Sequence, residues 1–169
     1  IEPDEVEQEA EERIVVDSSF TGRAGEHLVC SELLFRGYNA SIMSVDIGID
    51  IVAVKDTELY RIQVKTANIN KFNTYNFDIR TASFERHNSG NVFYIFVLHH
   101  HDDLNNSQEN QFLVLPYSEV KKKIKEKAIL KVGHGKRYRI NIKFREGCIF
   151  IGSKKYEMDY YLNNWEIIK

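Results

Sequence analysis

The apolar positions of this chain change period along its length, and each change predicts an element. From Ser18-Ser19 a hydroxyl-capped helix is expected to run to about Phe35, where Gly37 ends it. Within it, Val29, Cys30 and Leu33 follow Glu26 at i+3, i+4 and i+7. Glu26 is therefore expected on the apolar stripe, facing inward, with Gly22 one turn earlier leaving room for close approach. "YNASIMSV" (38–45) reads as a first strand, "IDIVAV" (49–54) as a second and "LYRIQVKTA" (59–67) as a third. Asp56-Thr57 forms the turn between the last two, and "TYNFDI" (74–79) suits a fourth strand. "NVFYIFVLH" (91–99) is a continuous apolar run, as expected of a central strand buried on both faces, and "QFLVLPY" (111–117) is its expected neighbour. "SEVKKKIKEKA" (118–128) predicts a short helix capped by Ser118. Residues 129–169 read as further strands and a closing helix near 160–168. This order predicts an α/β domain with a mixed sheet.

The second and third strands raise a question of their own. With a two-residue turn at Asp56-Thr57, Asp50 faces Gln63, and Lys65 shares that face two positions on. Val52 and Val54 complete it. The opposite face carries Ile49, Ile51 and Ala53 beside Tyr60, Ile62 and Val64, an apolar surface for a core. Three polar groups at one end of a sheet face are costly to bury unpaired, so their presence asks for a reason.

Composition narrows the class. With 43% hydrophobic and 28% charged residues over 169 positions, the chain is expected to fold as one domain rather than stay disordered. No apolar run is long enough to span a membrane, and the acidic N-terminus does not read as a secretory signal. The two cysteines, Cys30 and Cys148, have no zinc-site spacing and suit a reducing, cytoplasmic setting. Residues 1–13 hold seven of the 25 acids and one of the 23 bases, leaving a body of about +4. Residues 1–17 are thus expected as an acidic extension. Residues 18–169 are expected as the single domain, with a core over about 18–128 and C-terminal strands and a helix over 129–169. A mildly basic body permits a nucleic-acid partner.

A divalent cation accounts for the polar end of the hairpin. Mg²⁺ binds through one or two carboxylates, carbonyl oxygens and water. Asp50, the Gln63 side-chain oxygen and the Val64 backbone carbonyl offer that set, with Glu26 approaching from the helix. Lys65 is placed to hold an attacking water or offset charge developing on a phosphate. The competing reading of Asp50 and Lys65 is a cross-strand salt bridge, which contributes little. Glu26 alone is equally explained as an acid in the first turns of a helix.

A helix Glu in "GRAGEHLV", an Asp opening a strand in "GIDIVAV", and a polar residue two before Lys in "RIQVKT" resemble the PD-(D/E)XK nuclease superfamily. Restriction endonucleases, Holliday-junction resolvases and Mrr-type nucleases share its fold. The resemblance covers about the first hundred residues, and "FYIFVLHH…QFLVLPYSEV" is similar to the core strands and helix that follow in small members. It implies a restriction endonuclease-like mixed central sheet flanked by helices, and cleavage of DNA phosphodiesters with Mg²⁺ or Mn²⁺. Carried over by position, Glu26, Asp50, Gln63 and Lys65 are the catalytic group, and Asp50, Gln63, Val64 and Glu26 hold the metal. Two positions depart from the family pattern: Ile49 stands where Pro is usual and Gln63 where an acid is usual. Mrr-like enzymes and some homing endonucleases of the superfamily use Gln there, and its lack of charge lowers the expected metal affinity. Cutting both strands of a duplex takes two sites, so a homodimer is expected.

Three further segments carry weaker signals. "HHHDD" (99–103) is expected as an exposed loop, because consecutive strand residues point to opposite faces and do not share one ion. Lys71, within "NINKFNTYNF" (68–77), suits a phosphate contact or a polar loop equally. "KVGHGKRYRINIKFR" (131–145) mixes bases and aromatics, and Lys136, Arg137, Arg139 and Lys143 are candidates for nucleic-acid contact, with an amphipathic strand as the alternative. Other readings of the whole chain are a weakly active or inactive nuclease-fold binding module, an RNA-directed nuclease, and a plain interaction domain.

Overall fold

A computed structural model describes residues 16–45, 47–102 and 104–169. The acidic extension expected over 1–17 lies outside the described residues except for Val16 and Asp17. Helix α1 (Ser18–Phe35) begins as expected, but Asp17 is its cap. The Asp17 Oδ1 accepts from the Ser19 backbone N–H at 2.8 Å and from its hydroxyl at 2.6 Å. The helix ends at Gly37, whose φ of +82° lets Tyr38 N–H reach the Leu33 carbonyl and Gly37 N–H reach that of Leu34.

Five strands form the central sheet: β1 (Asn39–Ile42), β2 (Ile51–Lys55), β3 (Glu58–Asn68), β5 (Val92–Asp102) and β6 (Ser107–Pro116), in that order. β3 and β5 are parallel and the other pairs antiparallel, so the sheet is mixed. The β2–β3 turn is the expected one. Asp56 and Thr57 both have positive φ (49° and 73°), the mirror-image turn that matches strand twist. Ile51 faces Ile62 and Ala53 faces Tyr60, the predicted register.

The two faces of this sheet pack differently. α1 covers one, where Val29 and Leu33 meet Ile51, Ile62 and Val64. The other packs against a second, antiparallel sheet and two short helices. That sheet contains β4 (Thr74–Arg80), β8 (Arg137–Arg145), β7 (Leu130–Val132) and β9 (Cys148–Ile151). The helices are α2 (Thr81–Arg86) and α3 (Tyr117–Lys125). Tyr94 and Phe96 of β5 face Phe77 and Phe84 there, and Phe84 stacks on Tyr117 at 4.4 Å.

Several expectations need correction. His99–Asp102 do not form a loop: they extend β5 and pair with Ser107–Asn110 of β6, where His99 Nδ1 bonds Asn110 Oδ1 at 2.7 Å. α3 starts at Tyr117 after Pro116, without a side-chain cap, so Ser118 is not its cap. Among the described residues no α-helix follows β9. Asn163, at φ +52°, both donates to and accepts from the Phe112 backbone, which pins the segment to the β6 edge and leaves two 3₁₀ turns, Asp159–Tyr161 and Trp165–Ile167. Ile49 packs in the core opposite Ile51 rather than beside it, because regular alternation fails at Asp50. The close approach of α1 falls at Gly25, not Gly22. A Cβ on Gly25 would lie 1.7 Å from Thr66 Oγ1, while one on Gly22 would meet nothing within 4 Å.

Candidate active site

Asp50 sits just before β2, and the backbone fixes it from both sides. Its N–H donates to the Ile62 carbonyl (2.9 Å), its carbonyl accepts from Met43 N–H (2.8 Å), and its Oδ2 accepts from Val64 N–H (2.7 Å). The preceding loop is braced by α2: the His87 ring Nε2 lies 2.9 Å from the Ile47 carbonyl, and Gly48 packs against Ser83 and His87. A strand residue turns its N–H and C=O to the same side, so the Val64 carbonyl also faces the edge that Asp50 occupies.

Gln63 is 5% exposed, and its Oε1 is buried with no hydrogen-bond partner. Such a buried acceptor is expensive to leave unmade. In the parallel pairing Gln63 lies beside Tyr94 of β5, and Lys65 beside Phe96. The Tyr94 hydroxyl is also buried without a partner. Burial first, then Tyr117 and the Asp50 carboxylate, push its phenol well above the ordinary range, so it stays a protonated donor close to Asp50. Lys65 is half-buried on the Gln63 side of β3. The structure thus brings together Asp50, Gln63, the Val64 backbone and Lys65, and adds Tyr94. The sequence signal for Tyr94 was only an apolar run; the β3–β5 register that aligns it with Gln63 was not readable.

The orphaned Gln63 oxygen, the Asp50 carboxylate and the Val64 carbonyl form an all-oxygen set suited to a hard divalent cation. Glu26 comes from α1, next to the Gly25 that packs against Thr66 of β3. α1 buries Gly25, Val29 and Leu33, and Glu26 lies off that line, partly exposed and paired with Arg23 at 2.6 Å. α1 also crosses the sheet face opposite Gln63 and Lys65.

A second group of donor atoms lies in the other sheet. Cys148, Glu157 and Asp159 bring theirs within 4.8 Å of one another. Asp159 Oδ1 accepts from Ile149 N–H at 2.7 Å, and its hydrogen bond with Cys148 raises the thiol's pKa. These contacts secure the turn after β9.

The basic candidates separate by element. β8 alternates cleanly, with Tyr138, Ile140 and Ile142 inward and Arg137, Arg139 and Lys143 outward. Arg137 and Arg139 are both bound to Asp78 of β4, at 2.7 and 2.9 Å. Lys136 is exposed in the β7–β8 turn, and Lys71 lies over the Phe72 ring at the β3–β4 turn.

The family model described as PD-(D/E)XK endonuclease matches residues 16–147. A bacterial homing endonuclease, I-Ssp6803I, is similar in fold, with 17% identity and a TM-score of 0.60, over 90% of this chain and 93% of that one. A Holliday junction resolvase from Archaeoglobus fulgidus aligns at 14% identity and a TM-score of 0.44, over 71% of this chain and 83% of its own. A nuclease from a fusselovirus aligns at 14% identity and 0.41, over 75% and 85%. A search of curated protein sequences gave no match. With the family model spanning α1 through β8, the chain belongs to the PD-(D/E)XK endonuclease family.

Proposed function

We propose that this protein is a divalent-metal-dependent endonuclease that hydrolyses DNA phosphodiester bonds at the polar end of β3. The observation that carries the reading is the buried, unpartnered Gln63 Oε1 on the same sheet face as Lys65, next to the Val64 N–H that the Asp50 carboxylate binds. A fold tolerates such an acceptor when something outside the chain completes it. Asp50, Gln63 and the Val64 carbonyl would hold Mg²⁺ or Mn²⁺, which, when bound, supplies Lewis-acid stabilisation and a more acidic water. Lys65 holds a water or offsets charge on the scissile phosphate, while the Tyr94 hydroxyl offers a fixed donor beside Asp50. Glu26 assists from α1, through its position near the β3 end marked by the Gly25–Thr66 contact. Lys71, Lys136, Arg137, Arg139 and Lys143 are proposed to contact the backbone of the substrate. Cleavage of both strands by two copies of one site makes a homodimer the active form.

Plasmid and oligonucleotide cleavage with Mg²⁺ or Mn²⁺ tests this. The wild type is expected to cut DNA only with added metal, and Asp50→Ala and Lys65→Ala are expected to lose the activity while remaining folded. A folded wild type that cuts neither duplex, branched nor single-stranded DNA would leave a binding module. Cutting confined to RNA would reassign the substrate.

A further inference from the structure

The outward face of β8 carries bases toward both ends, with the half-buried Asn141 between them, and the two ends differ. At the Arg137–Arg139 end, Asp78 absorbs the charge. At the other end, Lys143 and Arg145 project from the same face and are joined by Lys154, which follows β9. These three cations line a cavity of about 200 Å³ with Phe150, Gly152 and Ser153. The lining contains no acid, and none of the three has an ion-pair partner among the described residues. Cations converging on one cleft repel one another unless an anion enters it.

The cavity adjoins the exposed turn that joins β3 to β4. Thr74 of β4, Lys143 of β8 and Phe150 of β9 lie in one cross-strand row. The β3–β4 turn ends at Thr74. Its shape is set by Asn70, whose Oδ1 accepts from the N–H groups of Phe72 (2.9 Å) and Thr74 (3.2 Å) and whose amide donates to the Thr74 hydroxyl at 2.7 Å. That turn presents Lys71 and a Phe72 side chain that is 73% exposed. β3 itself leads from Gln63 and Lys65 to this tip.

We infer that the Lys143–Arg145–Lys154 cavity binds a backbone phosphate of duplex DNA away from the scissile bond, with the Lys71-Phe72 tip as its rim. This rests on the DNA endonuclease reading above and assigns it a second anchoring point. Arg137 and Arg139, spoken for by Asp78, contribute less to binding than Lys143 and Lys154.

The test is binding of a labelled duplex oligonucleotide to the full chain by fluorescence anisotropy. It is run in EDTA, so that no cutting occurs, over a series of salt concentrations. A Lys143→Gln/Lys154→Gln double variant is compared with wild type and with Arg137→Gln/Arg139→Gln. Thermal unfolding checks each fold, and Lys154→Gln alone, in an exposed turn, serves as the gentler variant. The lysine pair is expected to weaken binding at least about tenfold and to make the slope of log K against log salt shallower by about 1–2, with the single lysine variant showing a part of this. The arginine pair is expected to change both less. Slopes and affinities equal to wild type, or an equal loss in the arginine pair, overturn the cavity assignment. If wild type cuts DNA with metal yet the lysine pair binds normally, only the cavity assignment falls. If wild type neither cuts nor binds any duplex, the endonuclease reading falls with it.

Discussion

β3 shows two kinds of surface on one strand. On the side facing α1, Ile62 and Val64 are buried against Val29 and Leu33 in an apolar layer that exists to hold the sheet together. On the side facing β5's Tyr94 and Phe96, the same strand buries Gln63 and half-buries Lys65, and two polar atoms there go unpartnered. The first face is an apolar layer, broken only toward the end of β3, where Thr66 Oγ1 lies buried and unpartnered against Gly25 of α1. The second breaks the rule that buried polar groups are bonded, and sites that break it at such cost mark function rather than stability. The two faces should therefore respond oppositely to substitution.

The largest effect is expected at Lys65. Lys65→Ala should lower the cleavage rate about 10²–10³-fold with little change in the urea midpoint, as for removal of one charge-stabilising donor. A variant that loses its fold instead would make Lys65 part of the core.

Next comes α1. Gly25→Ala puts a Cβ against Thr66 Oγ1 and should cost about 1–3 kcal/mol as α1 is pushed from β3. Gly22→Ala, open around its Cα, should gain about 0.5–1 kcal/mol from helix propensity. Equal urea midpoints for the two variants would show that α1 is not seated as described.

Gln63→Leu tests the polar face directly. Removing a buried, unbonded amide should leave the urea midpoint unchanged or raise stability by about 1–3 kcal/mol, while weakening metal-dependent cleavage less than Lys65→Ala does. A large loss of stability would mean that Gln63 is structural.

The smallest effect concerns Asp78. Hydrogen bonding from Arg139, helped by the charges of Arg139 and Arg137, holds its carboxyl below the ordinary range. A depressed carboxylate adds stability that is present above its unfolded pKa and is lost as pH falls through the folded one, so this contribution disappears below about pH 4. The side chain is 29% exposed and the effect correspondingly small. Asp78→Asn should flatten the acid limb of the stability profile slightly. It should also tighten duplex binding by freeing Arg137 and Arg139; unchanged binding would leave those arginines purely structural.

The sequence made the β2–β3 hairpin legible because a two-residue turn with positive φ at Asp56 and Thr57 fixes the register of everything after it. α1 was legible for a similar reason, since Gly37 marks its end. Both are local signals. What escaped depended on long-range pairing. The parallel alignment of Gln63 with Tyr94, the contact of Gly25 with Thr66 and the capture of Asn163 by Phe112 join residues that share no pattern along the chain. The extension of β5 through His99–Asp102 was hidden because its polar end gains strand geometry from β6, not from its own periodicity. Glu26 was placed on the buried stripe because Val29 and Leu33 are, but the stripe runs through Gly25 instead.

The most direct test is Mn²⁺ titration followed by electron paramagnetic resonance, on wild type, Asp50→Asn, Gln63→Leu and Glu157→Gln. The account predicts a bound Mn²⁺ in wild type that is lost in Asp50→Asn, weakened in Gln63→Leu and unaffected in Glu157→Gln. Mn²⁺ binding that survives Asp50→Asn and disappears with Glu157→Gln would move the metal to the Cys148–Asp159 turn and contradict the assignment of the site to β3.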